Sequence, residues 1–571
     1  MSNENKNLLI AMVLSMAVLF GWTLISETFF PTSQEPSSTF VDGQQVALPD
    51  DEAGPGTDSV PAIRERTEVL VETPRVMIDA PALSGSINLT GARIDDLLLK
   101  RHHETLAADS DIRLFSPRGA PDAYFAQIGW TGEGDLPGQD TRWQASAETL
   151  TADSPLTLSW TNDAGVRFLI EIAVDDNYLF TVRQRIENRG TSAVVARPYG
   201  LIAREGTGPN QDSWTAHVGP ISSSGGETNY DLGYDDLVDE GGRASADAND
   251  GWLGFTDTYW LSALIAPEGQ SVNSAFRTGR TSDSFEATMQ GEPLAVAPNS
   301  AQTSSLRIYA GAKEIGVLEN YDDKVGINGL EGAVDWGWFR VIAKPIYHLL
   351  SWLYGFAGNF GVAIILLVVI IRIVLFPIAN KQYESMAKMR RLQPKMKALQ
   401  ERHKDDKQRL QQEMMKLYRE EKANPIAGCL PMLLQIPIFY ALYKTLLLSI
   451  DIRHKPFVLW IKDLSAPDPL TPVNLFGFLP FDPPGFLAIG VLPILLGITM
   501  WLTMRMNPTP MDEVQKKVFG IMPWVFMFIM APFAAGLQLY WTINNIFSIG
   551  QQWILLKKYP REPEPEAAKA K

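Results

Sequence analysis

The chain has 571 residues, of which 46% are hydrophobic, and a formal net charge of −15. That total hides a split: residues 26–335 hold 21 Lys and Arg against 48 Asp and Glu, whereas residues 379–423 hold 13 against 7. The lone cysteine, Cys429, excludes an intrachain disulfide, and the lack of a G-x-x-x-x-G-K-[ST] loop excludes the usual phosphate cradle of a nucleotide-driven machine.

Leu8–Ile25 is uncharged and close to the roughly 20 apolar residues that cross a hydrocarbon core about 30 Å thick. The run is long for the apolar part of a signal peptide, and Ile25-Ser26-Glu27-Thr28 offers no A-x-A cleavage site. Residues 1–30 therefore read as an uncleaved signal anchor. Residues 31–60, rich in Pro, Ser, Gly and Asp, read as a linker. From 61 to about 320 the apolar period becomes two. Every second residue of Val166-Arg-Phe-Leu-Ile-Glu-Ile-Ala-Val174 is apolar, Asp175-Asp-Asn177 makes a turn, and Tyr178-Leu-Phe-Thr-Val-Arg-Gln-Arg-Ile186 repeats the pattern. This predicts a large all-β sandwich, with the Gly/Asp/Ser-rich stretch 205–250 as a long loop region. His102, His103 and His217 lack metal-ligand spacing and are expected at the surface. Trp252, Tyr259 and Trp260 are expected in core packing, with an exposed aromatic groove as the alternative.

Apolar stretches follow at 360–378, with the single charge Arg372, at 425–449, with Pro431, Gln435, Pro437 and Lys444, and at 486–506. The last, 518–556, has no charge; as one helix it would measure about 58 Å, nearly twice the hydrocarbon core. Pro532 and Gly536 favour a reversal, which gives crossings at 518–531 and 536–556 and six spans in all. The basic block 379–423, Lys516-Lys517 and the tail 557–571 belong on the cytoplasmic side. Both termini then lie in the cytoplasm, and 26–335 and 451–485 lie outside, in the periplasm of a cell with two membranes. Within 379–423, Met386, Met389, Leu392, Met396 and Leu399, then Leu410, Met414, Leu417 and Tyr418, recur at spacings of three and four. Two amphipathic helices thus form a hairpin turning near 403–406. Its Met-rich face suits adaptable protein contacts, with anionic lipid as the competing partner.

Arg372 lies about 9 Å from the inner end of its span by helical rise, shallow enough to snorkel to headgroups. Gln435, Gln538, Thr542, Asn544 and Asn545 also lie in the spans, where polar groups must face protein, water or each other. Interhelical hydrogen bonds are one solution and a water-filled groove is the other. No Asp or Glu occurs in any span, so a groove would leave Arg372 an unopposed cation that draws acidic, hydrophilic segments into the bilayer. A small-anion transporter could use the same charge, but the span pattern shows no internal repeat. An intramembrane hydrolase would need a base, and no span contains His. The chain reads as a non-enzymatic membrane protein without a cofactor.

Several longer strings carry a resemblance. Ala427-Gly-Cys-Leu-Pro-Met-Leu-Leu-Gln-Ile-Pro-Ile-Phe-Tyr-Ala-Leu-Tyr443 resembles the signature of the YidC insertases and their mitochondrial and chloroplast relatives. So do Gln382-Tyr-Glu-Ser-Met-Ala-Lys-Met-Arg390 with Leu392-Gln-Pro-Lys395, Asn359-Phe-Gly361 and Gly536-Leu-Gln-Leu-Tyr540. The match covers about 336–556, and the anchor with its β domain resembles the form found in bacteria with an outer membrane. The resemblance implies a polytopic α-helical membrane protein in which five of six helices, within 357–556, surround a hydrophilic groove. It implies a function in inserting and folding newly made inner-membrane proteins, alone or with the Sec translocon. It places the groove arginine on Arg372 and an aromatic substrate-contacting pair on Tyr540 and Trp541, the second often Tyr in the family; Gln435, a polar residue of its span, is a further candidate for substrate contact. Val368 stands where the family can place a substrate-contacting Thr. Residues 336–356 resemble an amphipathic helix lying on the outer membrane surface. The hairpin, with Met386, Met389, Arg390 and Met414, resembles the region that receives substrate and contacts the ribosome or targeting machinery. The β domain resembles a supersandwich related to sugar-mutarotase-like folds, which implies no sugar chemistry.

Overall fold

The computed structural model describes residues 38–41, 44–47, 62–106, 110–208, 216–239, 241–279, 283–403, 406–421, 430–476, 478–479, 481, 483–484, 488–506 and 513–558, along parts of the helices (382–391 among them) as backbone alone. The signal anchor, Cys429 and the tail beyond 558 lie outside the described residues. Of the linker, Ser38–Val41 and Gln44–Ala47 pair as a small hairpin.

The β domain stacks a sheet of nine strands on one of eleven. Val166–Val174 lies antiparallel between Leu156–Thr161 and Leu179–Asn188, and the last pairs with Ser300–Ala312. Val166, Phe168, Ile170, Ile172 and Val174 are buried while their neighbours are not, because successive side chains of a strand point to opposite faces. Asp175 closes the turn, its Oδ1 accepting the N–H bonds of Asn177 and Leu179. The stretch 205–250 departs from the expected loop. After the helix α1 (Arg66–Val71) near the start of the domain, this stretch holds strands Gly219–Ser224, Glu227–Asn229 and Arg243–Ala246 and the helix α2 (Tyr234–Asp239). Gly225 and Gly226 take positive φ at the hairpin between the first two strands. The turn-forming residues marked the connections and masked the short strands between them.

Ser300–Ala312 leads into α3 (Ile315–Val325) and α4 (Arg340–Ala357). Helix α4 is amphipathic. Ala343, Tyr347, Leu350 and Leu353 are buried, whereas Trp352 and Phe356 are 66% and 80% exposed. Gly358, in the left-handed conformation, ends it. Asn359 then caps α5 (Phe360–Arg402), accepting from Val362 N–H and donating through Nδ2 to the Phe457 carbonyl at 2.8 Å. A Cβ on Gly361 would collide with the Phe457 ring, which accounts for the Asn-Phe-Gly string.

The helix that begins at 360 does not end at 378: α5, 43 residues in all, continues without a break into the hairpin. Asp406 caps the returning α6 (Lys407–Glu420), whose Met414, Leu417 and Tyr418 pack on Leu392 and Met396. Helices α7 (Leu430–Leu448), α8 (Val491–Met506), α9 (Glu513–Met530) and α10 (Ala535–Lys558) occupy the other expected spans. The reversal between α9 and α10 falls on Pro532. Gln538 seals it, donating to the carbonyls of Met530, Ala531 and Phe533 at 2.9, 3.2 and 2.7 Å. Among the described residues one helical stretch, Phe360–Lys381, is long and apolar enough by itself to cross a membrane; Val491–Met506 and Lys517–Met530 are apolar but shorter. The count of six crossings is therefore not established by length and composition.

The β domain and the helices share a junction that the sequence did not foretell. Arg453, beyond α7, donates to the carbonyls of His103 at 2.8 Å and Glu104 at 3.3 Å. Its guanidinium lies 5.8 and 5.9 Å from the ring centroids of Tyr259 and Trp260. Trp252 is buried in the β core as expected, but Tyr259 and Trp260 form a half-buried shelf for Arg453. The expectation of surface histidines is also corrected. His102 sits 3.0 Å from Glu314 and edge-on to Trp260, His103 lies 3.1 Å from Asp111, and half-buried His217 lies 2.7 Å from the Pro220 carbonyl. Burial works against the charge of Glu314, yet His102, Tyr178 and Arg101 hold its carboxyl below the usual range. Lys444 of α7, 3% exposed, donates to the carbonyl and carboxylate of Asp335 at 3.0 and 3.3 Å. Nearby, buried Lys313 donates to Thr256 Oγ1 at 3.0 Å and the Ala333 carbonyl at 3.1 Å, and burial lowers its ammonium to about 8.

Candidate functional site

Helices α5 and α10 pack against each other so that Arg372 meets the last helix. Its Nε and Nη2 both donate to Asn544 Oδ1, at 3.0 and 2.7 Å. Nη2 also donates to the Asn544 carbonyl at 2.8 Å and to Ser548 Oγ, and Nη1 donates to Gln551 Oε1 at 3.3 Å. Asn544, Ser548 and Gln551 fall at spacings of four and three, on one face of α10, with Tyr540 one turn earlier. These acceptors are neutral, so they orient the guanidinium while its charge remains.

Arg372 is thus held by neutral acceptors on the helix opposite, the interhelical solution, with no carboxylate among the bonds described. Asn544 was among the polar span residues read from the sequence, but its pairing with Arg372 was not, because the two lie 172 positions apart. Ser548 and Gln551 were not anticipated, although their positions four and seven residues beyond Asn544 carried the signal.

Gln435 of α7 donates to the Tyr540 hydroxyl at 2.7 Å. Tyr540 is buried, and Trp541 is half-buried between Phe439 and Phe526, 4.5 Å from each ring centroid. The structure thus gathers Arg372, Gln435, Tyr540 and Trp541 along α10. Val368, one turn before Arg372 on α5, is buried in the apolar cluster with Ile364, Leu367 and Tyr540. Asn545 donates to Thr499 Oγ1 at 3.2 Å, and Gln538 serves its own turn. For these two the interhelical solution holds, and a single wet cavity serving every polar span residue is not the arrangement found. Met414 is half-buried within the hairpin core; Met386, Met389 and Arg390 lie on α5 where only the backbone is described. Among the described residues no cluster of His, Cys, Asp and Glu could hold a metal ion.

The family model described as the 60Kd inner membrane protein matches residues 352–562, and that of the YidC periplasmic domain matches residues 75–349. A membrane protein insertase YidC of Zymomonas mobilis is 45% identical, covering 99% of this chain and 98% of its own length. One of Methylobacterium radiotolerans is 41% identical, with 98% and 96% covered. A crystal structure of an active YidC insertase with its first transmembrane domain resolved is 17% identical, covers 96% of this chain and 100% of its own, and superposes with a TM-score of 0.36.

Proposed function

The chain belongs to the YidC family of membrane protein insertases and inserts membrane proteins into the bacterial inner membrane; from that membership we propose that Arg372 receives the hydrophilic part of each client while its apolar part enters lipid. Six spans, with both termini cytoplasmic and the β domain periplasmic, place Arg372 within the inner leaflet. The basic hairpin, including Met386, Met389, Arg390 and Met414, receives the nascent chain and meets the ribosome or targeting machinery, and insertion proceeds alone or with the Sec translocon.

The work of insertion comes from transferring the client's apolar helix to lipid, about 25 cal/mol per Å² of buried surface. Arg372 lowers the barrier for the polar tail by offering one fixed positive charge in a medium of low dielectric. The membrane potential adds about 2.3 kcal/mol per charge per 100 mV for acidic tails. Gln435 and Trp541 form the wall along which the tail passes, and buried Tyr540 and Val368 are its packed backing. No observation favours small-anion transport.

The observation that carries this reading is the hydrogen-bonded fixing of Arg372 on one face of α10. A photo-crosslinker at Trp541, compared with one at lipid-facing Phe528, tests it during client synthesis. Client adducts are expected at 541 and at most weakly at 528; equal adducts at both positions would overturn the proposed path.

A further inference from the structure

We propose that the loop at 471–481, between α7 and α8, is a lipid anchor seated in the outer leaflet of the bilayer. Its stem is fixed to the helices. Asp468 accepts the N–H of Leu492 at 2.7 Å and of Leu470 at 3.0 Å, and the Trp460 indole N–H at 2.9 Å. The N–H groups of Ala535 and Gly536 donate to the carbonyls of Ala466 and Leu464 at 2.7 and 2.9 Å. The loop therefore starts at the first turns of α8 and α10, which on the six-span reading mark the outer surface of the hydrocarbon.

From that stem, residues 471–481 contain no Asp, Glu, Lys or Arg. Leu475, Phe476, Phe478, Leu479 and Phe481 are exposed, Phe478 by 86%. Among the described residues of the loop the backbone turns inward on itself. The N–H groups of these five residues donate to carbonyls of Pro472, Thr471, Leu475, Asn474 and Leu479, all within the loop, at 2.9–3.3 Å. Leu475 and Phe476 take φ of 51° and 60°, a conformation bulky side chains rarely adopt. A loop facing water has no need to satisfy its own donors or to discard every charge; a segment entering lipid must do both. A protein partner would call for a polar rim around the apolar centre; the polar side chains of 471–481 are Thr471, which is buried, and Asn474, which donates to the loop's own Phe481 carbonyl. Trp352 and Phe356, just before the start of α5, expose their rings at the same end of the helices.

The test uses the full chain in liposomes of phosphatidylethanolamine and phosphatidylglycerol, with Cys429→Ser as background. A nitroxide is placed at Phe478→Cys, at Phe528→Cys on α9 and at Val71→Cys on the β domain, and collision with oxygen and with a water-soluble nickel chelate is measured. A label replacing Leu475 gives a second, independent reading of the loop. The oxygen-to-nickel ratio at 478 and 475 is expected to match that at 528 and to exceed that at 71 several-fold. A ratio at 478 and 475 like that at 71, with 528 still in lipid, would overturn the anchor while leaving the span reading intact. Shielding of 478 and 475 from both reagents would also overturn it, by revealing a protein cover.

Discussion

Replacing Arg372 by alanine gives the sharpest check on the proposed route. A client carboxylate about 6 Å from the guanidinium, at an effective dielectric of about 20, gains about 2.8 kcal/mol, roughly a hundredfold in occupancy. Arg372 is partly exposed, so screening trims this to about 1–2 kcal/mol, or roughly tenfold. The assay is protease protection of two clients inserted into liposomes, identical but for an acidic or a neutral translocated tail. Arg372→Ala is expected to slow the acidic client roughly tenfold and to leave the neutral one nearly unchanged. Arg372→Lys keeps the charge, but one ammonium cannot reproduce the planar fork that reaches Asn544, Ser548 and Gln551 together, so an intermediate rate is expected. Wild-type rates for the acidic client with Arg372→Ala would refute charge recognition. An equal loss for both clients would refute it as well, and would point to Asn544 and Gln551 left without their donor, at about 1–3 kcal/mol of stability.

Three other outcomes follow from the junction. Arg453→Ala removes two charge-assisted hydrogen bonds, about 1.5–3 kcal/mol each, and a cation–π contact of about 0.5–1 kcal/mol; faster amide exchange around 101–106 is expected, and unchanged protection would count against the tie. Asp335→Ala leaves buried Lys444 without its carboxylate and should cost about 3 kcal/mol in thermal unfolding, partly recovered by adding Lys444→Met; a melt like wild type would sink this. Lys313 binds its proton less tightly folded, near 8, than at the ordinary 10.5, so the unfolded chain holds more protons between those values and stability rises with pH across that window. Lys313→Met is therefore expected to be more stable at pH 7, by at most about 3 kcal/mol, and to flatten the rise; parallel melting curves for the two proteins from pH 7 to 10 would contradict it.

What could be read from residues alone was whatever depends on near neighbours. The period of two across 166–186 placed its strands in register, and the length of 518–556 with Pro532 placed the reversal between α9 and α10. Arg372 stood out as a charge in an apolar run. Its pairing with Asn544 and Gln551 did not, because both lie far along the chain and are neutral. The junction was hidden for the same reason: Arg453 meets a carbonyl some 350 positions earlier. Short strands within 205–250 escaped because their turns dominate the local composition.

The unbroken run of α5 has a mechanical consequence. From Arg372 to Arg402 it extends about 45 Å, so a tilt of about 10° near the arginine sweeps the far tip through about 8 Å. Because Leu392 and Met396 grip Met414, Leu417 and Tyr418, α6 travels with it. The helix is a lever arm whose interior prolines, Pro377 and Pro394, are the points at which it can bend, so a load at its far end reaches the guanidinium through those two joints.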